Sequence, residues 1–268
     1  SMVARAIASL EKRGLLDNTI VVVTSDHGMP FPRGKATVYD WGSRVPLAIR
    51  WADGIENPGR DIESFVNLSD LAATFIEAAG VRVPAMMTGR SLIDIFDGNP
   101  TVDRKAAYVA FERHSGARAG GKGYPTRAIR TADYLYIHNF EPSRWPAGSP
   151  DPDVCNRLIP FGEYDSSPTK TYMLEHRFDH GVARIAELAF GKRAAEELYD
   201  LRTDPEQLNN IAGSVKYAAV QQTIRRQLFD HLTKTKDPRV VGGTVEWDYY
   251  PHYGRHSNKN WKVDEKPK

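Results

Sequence analysis

The sequence predicts an α/β chain in two parts, and three observations carry that reading. A helix-spaced apolar set, Val3, Ala6, Ile7 and Leu10, runs into the β-branched stretch 20–24, IVVVT. Helix then strand is half of an α/β unit. Two stretches, 126–131 and 134–139, flank a tight turn at Ala132 and Asp133, the pattern of an antiparallel hairpin. Val220, Ile224, Leu228 and Leu232 recur on one stripe of 215–234, an amphipathic helix suited to covering such a sheet. A polar link at 99–105 separates the parts, so 1–105 reads as one and 106–268 as the other.

Composition narrows the function classes. The chain has 268 residues, 41% of them hydrophobic, enough for a packed core. Lys plus Arg number 36 and Asp plus Glu 34, a net charge of +2 that gives no support for nucleic-acid binding. No apolar run approaches the ~20 residues of a membrane span. Cys155 is the only cysteine, so an intrachain disulfide is impossible. Ser1 ahead of Met2 reads as a cloning remnant, so the start says nothing about a leader.

The elements follow in order. Gly14 closes the first helix. The run 20–24 is expected to be a strand buried on both faces, as inside a parallel sheet, although its neighbours are not evident. Residues 45–51 form a second strand and 62–67 a third. Ser69 is placed to cap a helix over 70–79, with Asp70 in its first turn and Gly80 after it. Strands at 106–112, 126–131, 134–139 and 197–201 are expected to share one antiparallel sheet, packed by the 215–234 helix. Residues 141–170, rich in Pro, Asp, Ser and Gly, read as an ordered surface loop. Residues 172–190 are helical in character. The tail from Val240, with Trp247, Tyr249, Tyr250, His252, Tyr253 and Trp261, reads as irregular and packed on the surface.

The chemistry concentrates at 20–50. In open α/β sheets ligands bind beyond the carboxyl ends of strands, where Asp26 and His27 fall. A carboxylate beside an imidazole suits a metal ion. Gly28 lets the backbone turn away, and a loop kept irregular by Pro30, Pro32 and Gly34 returns Lys35 as a positive charge. Cation ligands with a lysine suit a sulfate or phosphate oxyanion. The plainer readings are a turn-capping Asp26, a core His27 and a solvated loop Lys35. Arg113 and His114 leave the end of the 106–112 strand, and arginine suits bidentate contact with sulfate or carboxylate; an ordinary surface pair is the plainer reading. Arg118, Lys170 and His176 are further cations with less to place them. Arg44 reads as a structural ion-pair partner.

Several of these stretches are familiar. TSDHG at 24–28, PFP-x-GK at 30–35, the aromatic-Gly-x-x-x-Pro at 41–46, GYPTRAIRTADYLYIHNF at 123–140 and DLRTDPEQLNNIA at 200–212 resemble the sulfatases of the alkaline-phosphatase superfamily, in their sulfamidase-like form. NLSDLAATFIEAAGV at 67–81 and TGRSLIDIFDG at 88–98 resemble structural segments of the same family. The resemblance implies a partial alkaline-phosphatase-like α/β fold: the last strands and helices of a large mixed sheet, then a smaller C-terminal antiparallel sheet with a packed helix. It places Asp26 and His27 on a divalent cation and Lys35 on the substrate sulfate. The resemblance points first to calcium, but an Asn is common where His27 stands, and imidazole suits zinc, manganese or iron; magnesium is a further alternative.

The family nucleophile is a formylglycine made from Cys or Ser in Cys/Ser-X-Pro-X-Arg. CNRLI around Cys155 does not match it, and Ser143 is followed by Arg and Trp. The resemblance therefore covers the later part of the family pattern, and this chain alone is expected not to turn over substrate. The implied partner is a sulfated saccharide or other sulfate ester, and the implied compartment is periplasmic or extracellular. A phosphodiesterase or phosphonate hydrolase of the same superfamily and a non-catalytic glycan-binding remnant stand as alternatives.

Overall fold

The computed structural model describes residues 1–251, 253–254 and 258–266. In chain order its main elements are α1 (Met2–Lys12), β1 (Val21–Thr24), α2 (Asp40–Ser43), β2 (Leu47–Arg50), α3 (Leu68–Ala78), α4 (Ile93–Phe96), β3 (Ala106–Phe111), β4 (Thr126–Thr131), β5 (Tyr134–Asn139), α5 (Pro168–Glu175), α6 (Ala183–Phe190), β6 (Glu196–Asp200), α7 (Ala218–Lys234) and α8 (Pro238–Val241). They divide into two compact units: Ser1–Asp26 with Val45–Ala107, and His27–Arg44 with Tyr108–Lys268. This division differs from a cut at 105/106 chiefly in segment 27–44, which belongs to the second unit.

In the first unit β1 and β2 pair antiparallel, with Val22 opposite Ile49. The expectation of a strand buried on both faces in a parallel sheet is corrected here. Val21 and Val22 are half-buried and Val23 is 38% exposed. A β-branched run signals a strand but says nothing about the direction of its neighbour. Val22, Leu47, Ile49 and Trp51 pack on a core of Leu71, Leu92, Ile95 and Phe96.

No strand forms at 62–67. Phe65 N–H donates to the Arg104 carbonyl, an isolated bond rather than a ladder. Helix α3 is capped by Asn67, not Ser69. The Asn67 side chain accepts from Ser69 N–H at 3.3 Å, and Asp70 accepts from Asn67 N–H at 3.0 Å, a reciprocal capping box. Both residue types cap well, and the three-residue spacing to Asp70 decides between them. Asp70 is buried and also receives Arg90 N–H at 2.7 Å and Arg104 Nη1 at 3.3 Å. Arg104, equally buried, reaches Asp94 at 3.3 Å.

In the second unit the strands run in the order β3-β4-β5-β6. Ile129 stands opposite Tyr136, and Ile137 opposite Glu197, both in antiparallel register. The four predicted strands thus share one sheet, with the β4–β5 hairpin at the residues read from sequence. Helix α7 packs over β4 and β5 and buries Ile224, Leu228 and Leu232. Ala128, Leu135, Ile137 and Tyr199 form a core with Val38 and Tyr39 from segment 27–44.

Residues 141–170 are not a surface loop throughout. Ala147, Phe161 and Tyr164 build a core with Met173 of α5 and Ala186, Ala189 and Phe190 of α6. The helical stretch 172–190 is two helices broken between 175 and 183. The tail is likewise more than surface packing: Trp261 is buried, and its Nε1 donates to the Arg118 carbonyl at 3.2 Å. His252 lies outside the described residues.

Breaking a buried ion pair by removing one partner costs about 3–5 kcal/mol. Asp70→Ala takes away the Arg104 partner and half of the capping box together. We expect urea unfolding to show a loss in that range for this variant, and a loss under ~1 kcal/mol would mean that Arg104 re-pairs fully with Asp94.

Candidate functional site

Segment 27–44 is fastened to its unit at several points. The buried Tyr39 hydroxyl donates to Glu197 Oε2 at 2.6 Å, and the same oxygen takes the Tyr199 hydroxyl at 2.6 Å. Asn139 Nδ2 donates to the other oxygen at 2.7 Å. Burial pushes the Tyr39 hydroxyl well up, and the neighbouring Glu197 charge adds to this, so the phenol remains a proton donor. The Arg33 guanidinium lies 3.8 Å above the Tyr39 ring. It donates to the carbonyls of Leu188, at 3.2 Å, and Gln207. Buried Gln207 accepts Asp40 N–H at 2.9 Å, and Arg130 pairs with the Asp40 carboxylate at 3.1 Å.

Lys35 lies between these fastenings. Arg33 and Ala36 on either side have φ of 65° and 63°, a region side-chain-bearing residues rarely occupy. A side chain at buried Gly34 would collide with the Met29 carbonyl, which accepts Lys35 N–H at 2.9 Å. Gly28 is required for a similar reason. A Cβ there would meet the Trp41 carbonyl, so close backbone approach explains this glycine rather than a special turn angle.

The Lys35 side chain is 18% exposed, and its Nζ donates to Asp165 Oδ2 at 3.0 Å. That bond, with the charges of Lys35, His114 and Arg157, holds the Asp165 carboxyl below the usual carboxylate range against the effect of burial. Two residues earlier, Glu163 is fully buried. It accepts Arg118 Nη1 at 2.7 Å and Ser115 N–H at 3.2 Å, and lies 3.3 Å from His114 Nδ1. Burial alone would raise Glu163, but Arg118 and then His114 outweigh it, and its carboxyl lies below the ordinary value.

The structure therefore brings two of the sequence-chosen residues, Lys35 and His114, to one acidic turn at 163–165. Arg113 goes elsewhere: it donates to the Gly121 carbonyl at 3.0 Å and the Tyr250 carbonyl at 2.9 Å. Arg118 braces the turn, donating also to Trp145 O at 2.7 Å and Pro146 O at 2.6 Å. Lys170 is buried and donates to Phe161 O and Tyr164 O, both at 2.9 Å. His176 pairs with Asp179 at 2.6 Å. Arg44 is exposed and makes no ion pair among the described residues, which corrects its reading as an ion-pair partner. Asp165 and Glu163 were not singled out from sequence, because nothing in their local pattern marks which loop they will meet.

Asp26 ends the first segment of the first unit and is exposed just beyond β1. His27 Nδ1 lies 2.7 Å from the Gly28 carbonyl. A carbonyl only accepts, so Nδ1 is the donor in this contact. Among the described residues no group of three or more His, Cys, Asp and Glu is placed to hold a metal. Cys155 is buried, its thiol lies 3.1 Å from Ala117 O, and burial pushes its pKa up. It is a packed thiol, not a nucleophile.

A family model described as the C-terminal part of N-sulphoglucosamine sulphohydrolase matches residues 29–147. An ulvan-active sulfatase of Formosa agariphila is 27% identical over 223 residues, 83% of this chain and 39% of that protein. The human N-sulphoglucosamine sulphohydrolase is 27% identical over 255 residues, 89% of this chain and 46% of that protein. The chain is similar to the C-terminal portions of sulfatases of the alkaline-phosphatase-like superfamily. It spans roughly two fifths of these sulfatases' length. A solved structure described as bound to its substrate, D-glucosamine-2-N,6-O-disulfate, matches 90% of the chain and 39% of its own, at TM-score 0.59 and 26% identity. The phosphonate monoester hydrolase of Agrobacterium radiobacter shares the fold, with TM-score 0.57 and 22% identity over 89% of this chain and 40% of that one.

Glu163 sets a pH test for this unit. Its folded pKa is depressed, so its contribution to stability is present above the unfolded carboxylate pKa, ~4.3, and is lost as pH falls through the lower folded value. Glu163→Gln strands the Arg118 charge and is expected to cost about 3 kcal/mol at neutral pH. Urea titrations from neutral pH downward should show wild-type stability falling below the ordinary carboxylate pKa and the variant's falling less. Parallel curves would show that Glu163 is not ionised in the folded chain.

Proposed function

We propose that the protein carrying this chain hydrolyses sulfate esters or sulfamates of sugars. The observation that carries this reading is Lys35: a lysine held part-exposed on a strained, multiply fastened loop inside the stretch that matches the sulphohydrolase C-terminal family. Lys35 neutralises charge on the non-bridging sulfo oxygens as the S–O or S–N bond breaks. His114, packed against the same acidic turn, faces the saccharide as a polar contact, and Arg113 shapes that wall through the glycine loop it holds.

Asp26 and His27 hold a divalent cation, in this reading calcium, with zinc, manganese or magnesium as alternatives that metal analysis distinguishes. The cation supplies positive charge to the sulfo group and to a formylglycine nucleophile, which this chain does not contain. Sulfated glycans place the enzyme in the periplasm or outside the cell. A phosphonate or phosphodiester hydrolase is the second reading, and the imidazole of His27, better suited to a transition metal than to calcium, favours it.

Lys35→Ala is expected to lower turnover of both an aryl sulfate and a sulfated glucosamine by ~10²–10³. Asp26→Ala is expected to abolish activity and bound metal together. Steady-state kinetics on these sulfates and on a phosphonate monoester, with metal analysis alongside, test the reading. Full activity in Lys35→Ala removes the substrate role of Lys35, and faster turnover of the phosphonate than of either sulfate selects the second reading.

A further inference from the structure

Asp165 is not a residue the sulfatase reading needs, yet among the described residues it is the only carboxylate bonded to Lys35. The turn that carries it is fixed from inside. Phe161 and Tyr164 are buried in the core with α5 and α6. Lys170, itself 5% exposed, gathers the carbonyls of Phe161 and Tyr164 at 2.9 Å each. Glu163 is locked between Arg118 and the Ser115 N–H. Ser167 caps α5 just after the turn, accepting Lys170 N–H at 3.1 Å. On this braced turn the Asp165 side chain is 36% exposed. One of its oxygens holds Lys35, and the other has no hydrogen-bond partner among the described residues.

The ammonium of Lys35 has three N–H donors, and one is used on Asp165. It can keep that bond and still donate to a sulfo oxygen. Asp165, ionised beside Lys35, His114 and Arg157, is acceptor-only. The pair thus presents a donor and an acceptor side by side on a fixed frame. A sulfo group needs the donor. A hydroxyl or N–H on the carbon next to it needs the acceptor.

We propose, resting on the sulfatase reading, that Asp165 is a specificity residue. Its free oxygen accepts from a hydroxyl or N–H neighbouring the sulfo group while Lys35 holds the sulfo group itself. Its ligand class is a sulfated saccharide with a hydrogen-bond donor vicinal to the sulfo group. Its negative charge also disfavours a second sulfo group at that neighbouring position.

The test compares 4-nitrophenyl sulfate, which has no vicinal donor, with D-glucosamine-2-N,6-O-disulfate, in the full-length protein. Asp165→Ala should lower kcat/KM on both, because Lys35 loses its anchor, but on the saccharide by a further ~10- to 100-fold, as expected for a hydrogen bond to a charged group. Asp165→Asn, which keeps an acceptor but loses the charge, should shift the ratio by less. Melting curves matching wild type exclude unfolding, since Asp165 is half-exposed. An equal fall on both substrates overturns the proposal and leaves Asp165 as an anchor for Lys35. An unchanged ratio in both variants also overturns it. A wild-type enzyme that hydrolyses neither sulfate but does hydrolyse a phosphonate monoester overturns the sulfatase reading itself, and the Asp165 assignment with it.

Discussion

The buried carboxylate of Glu197 is the contact on which the second unit depends. A charge at 3% exposure is costly unless its oxygens are bonded. Tyr199 comes from the same strand and Asn139 from the neighbouring one, but Tyr39 comes from segment 27–44. The sheet satisfies its own buried charge fully only when that segment lies on it. A run of prolines and glycines with no regular structure becomes a fixed frame for Lys35. The DLRTDPEQLNN stretch adds the second fastening. Asp204 takes the N–H groups of Leu208 and Asn209 at 3.0 and 2.8 Å, and the turn this makes sends buried Gln207 back to Asp40. Asn210 closes onto β6 by accepting Leu198 N–H at 2.9 Å. Two of the sequence stretches that resemble sulfatases are therefore the two halves of one joint.

Much of this fold was legible because its signals are local. The β4–β5 hairpin fell where the turn at Ala132 and Asp133 put it, and α7 where its apolar stripe put it. The failures were non-local. IVVVT looks the same whether its neighbour runs parallel or antiparallel. Residues 62–67 carry Ile62, Phe65 and Val66, but their backbone finds no ladder to join, and Asp61 and Glu63 are exposed. Residues 141–170 have loop composition, yet Phe161 and Tyr164 are core residues because α5 and α6 fold back over them. Composition describes the solvent preference of a segment on average and cannot show which two side chains will be swallowed.

The same limit applies to the candidate site. Lys35 and His114 stood out as cations near strand ends, and that much was local. Their meeting at Glu163 and Asp165 depends on a turn 130 residues from Lys35 in sequence. Arg113 and His114 are adjacent and looked equivalent, yet the chain sends them to different partners. Arginine carries five donors in a rigid fork and readily collects backbone carbonyls, and Arg113 does so. Histidine keeps one ring nitrogen for each side, so His114 can lean on Glu163 and still present its other edge.

What separates Lys35 from the other cations near the turn is how its charge is satisfied. Arg118 and Arg33 hold carbonyls or a carboxylate with several N–H groups each, and Lys170 holds two carbonyls from a buried position. Pulling any of these onto a ligand would strand a buried acceptor, at ~1–3 kcal/mol apiece. Among the described residues the Lys35 ammonium has one bond, to a carboxylate that is itself 36% exposed, and donors to spare. A sulfo oxygen can join that arrangement without unmaking it. The braced residues supply rigidity because their bonds are all spoken for, and Lys35 is suited to an anion because its own are not.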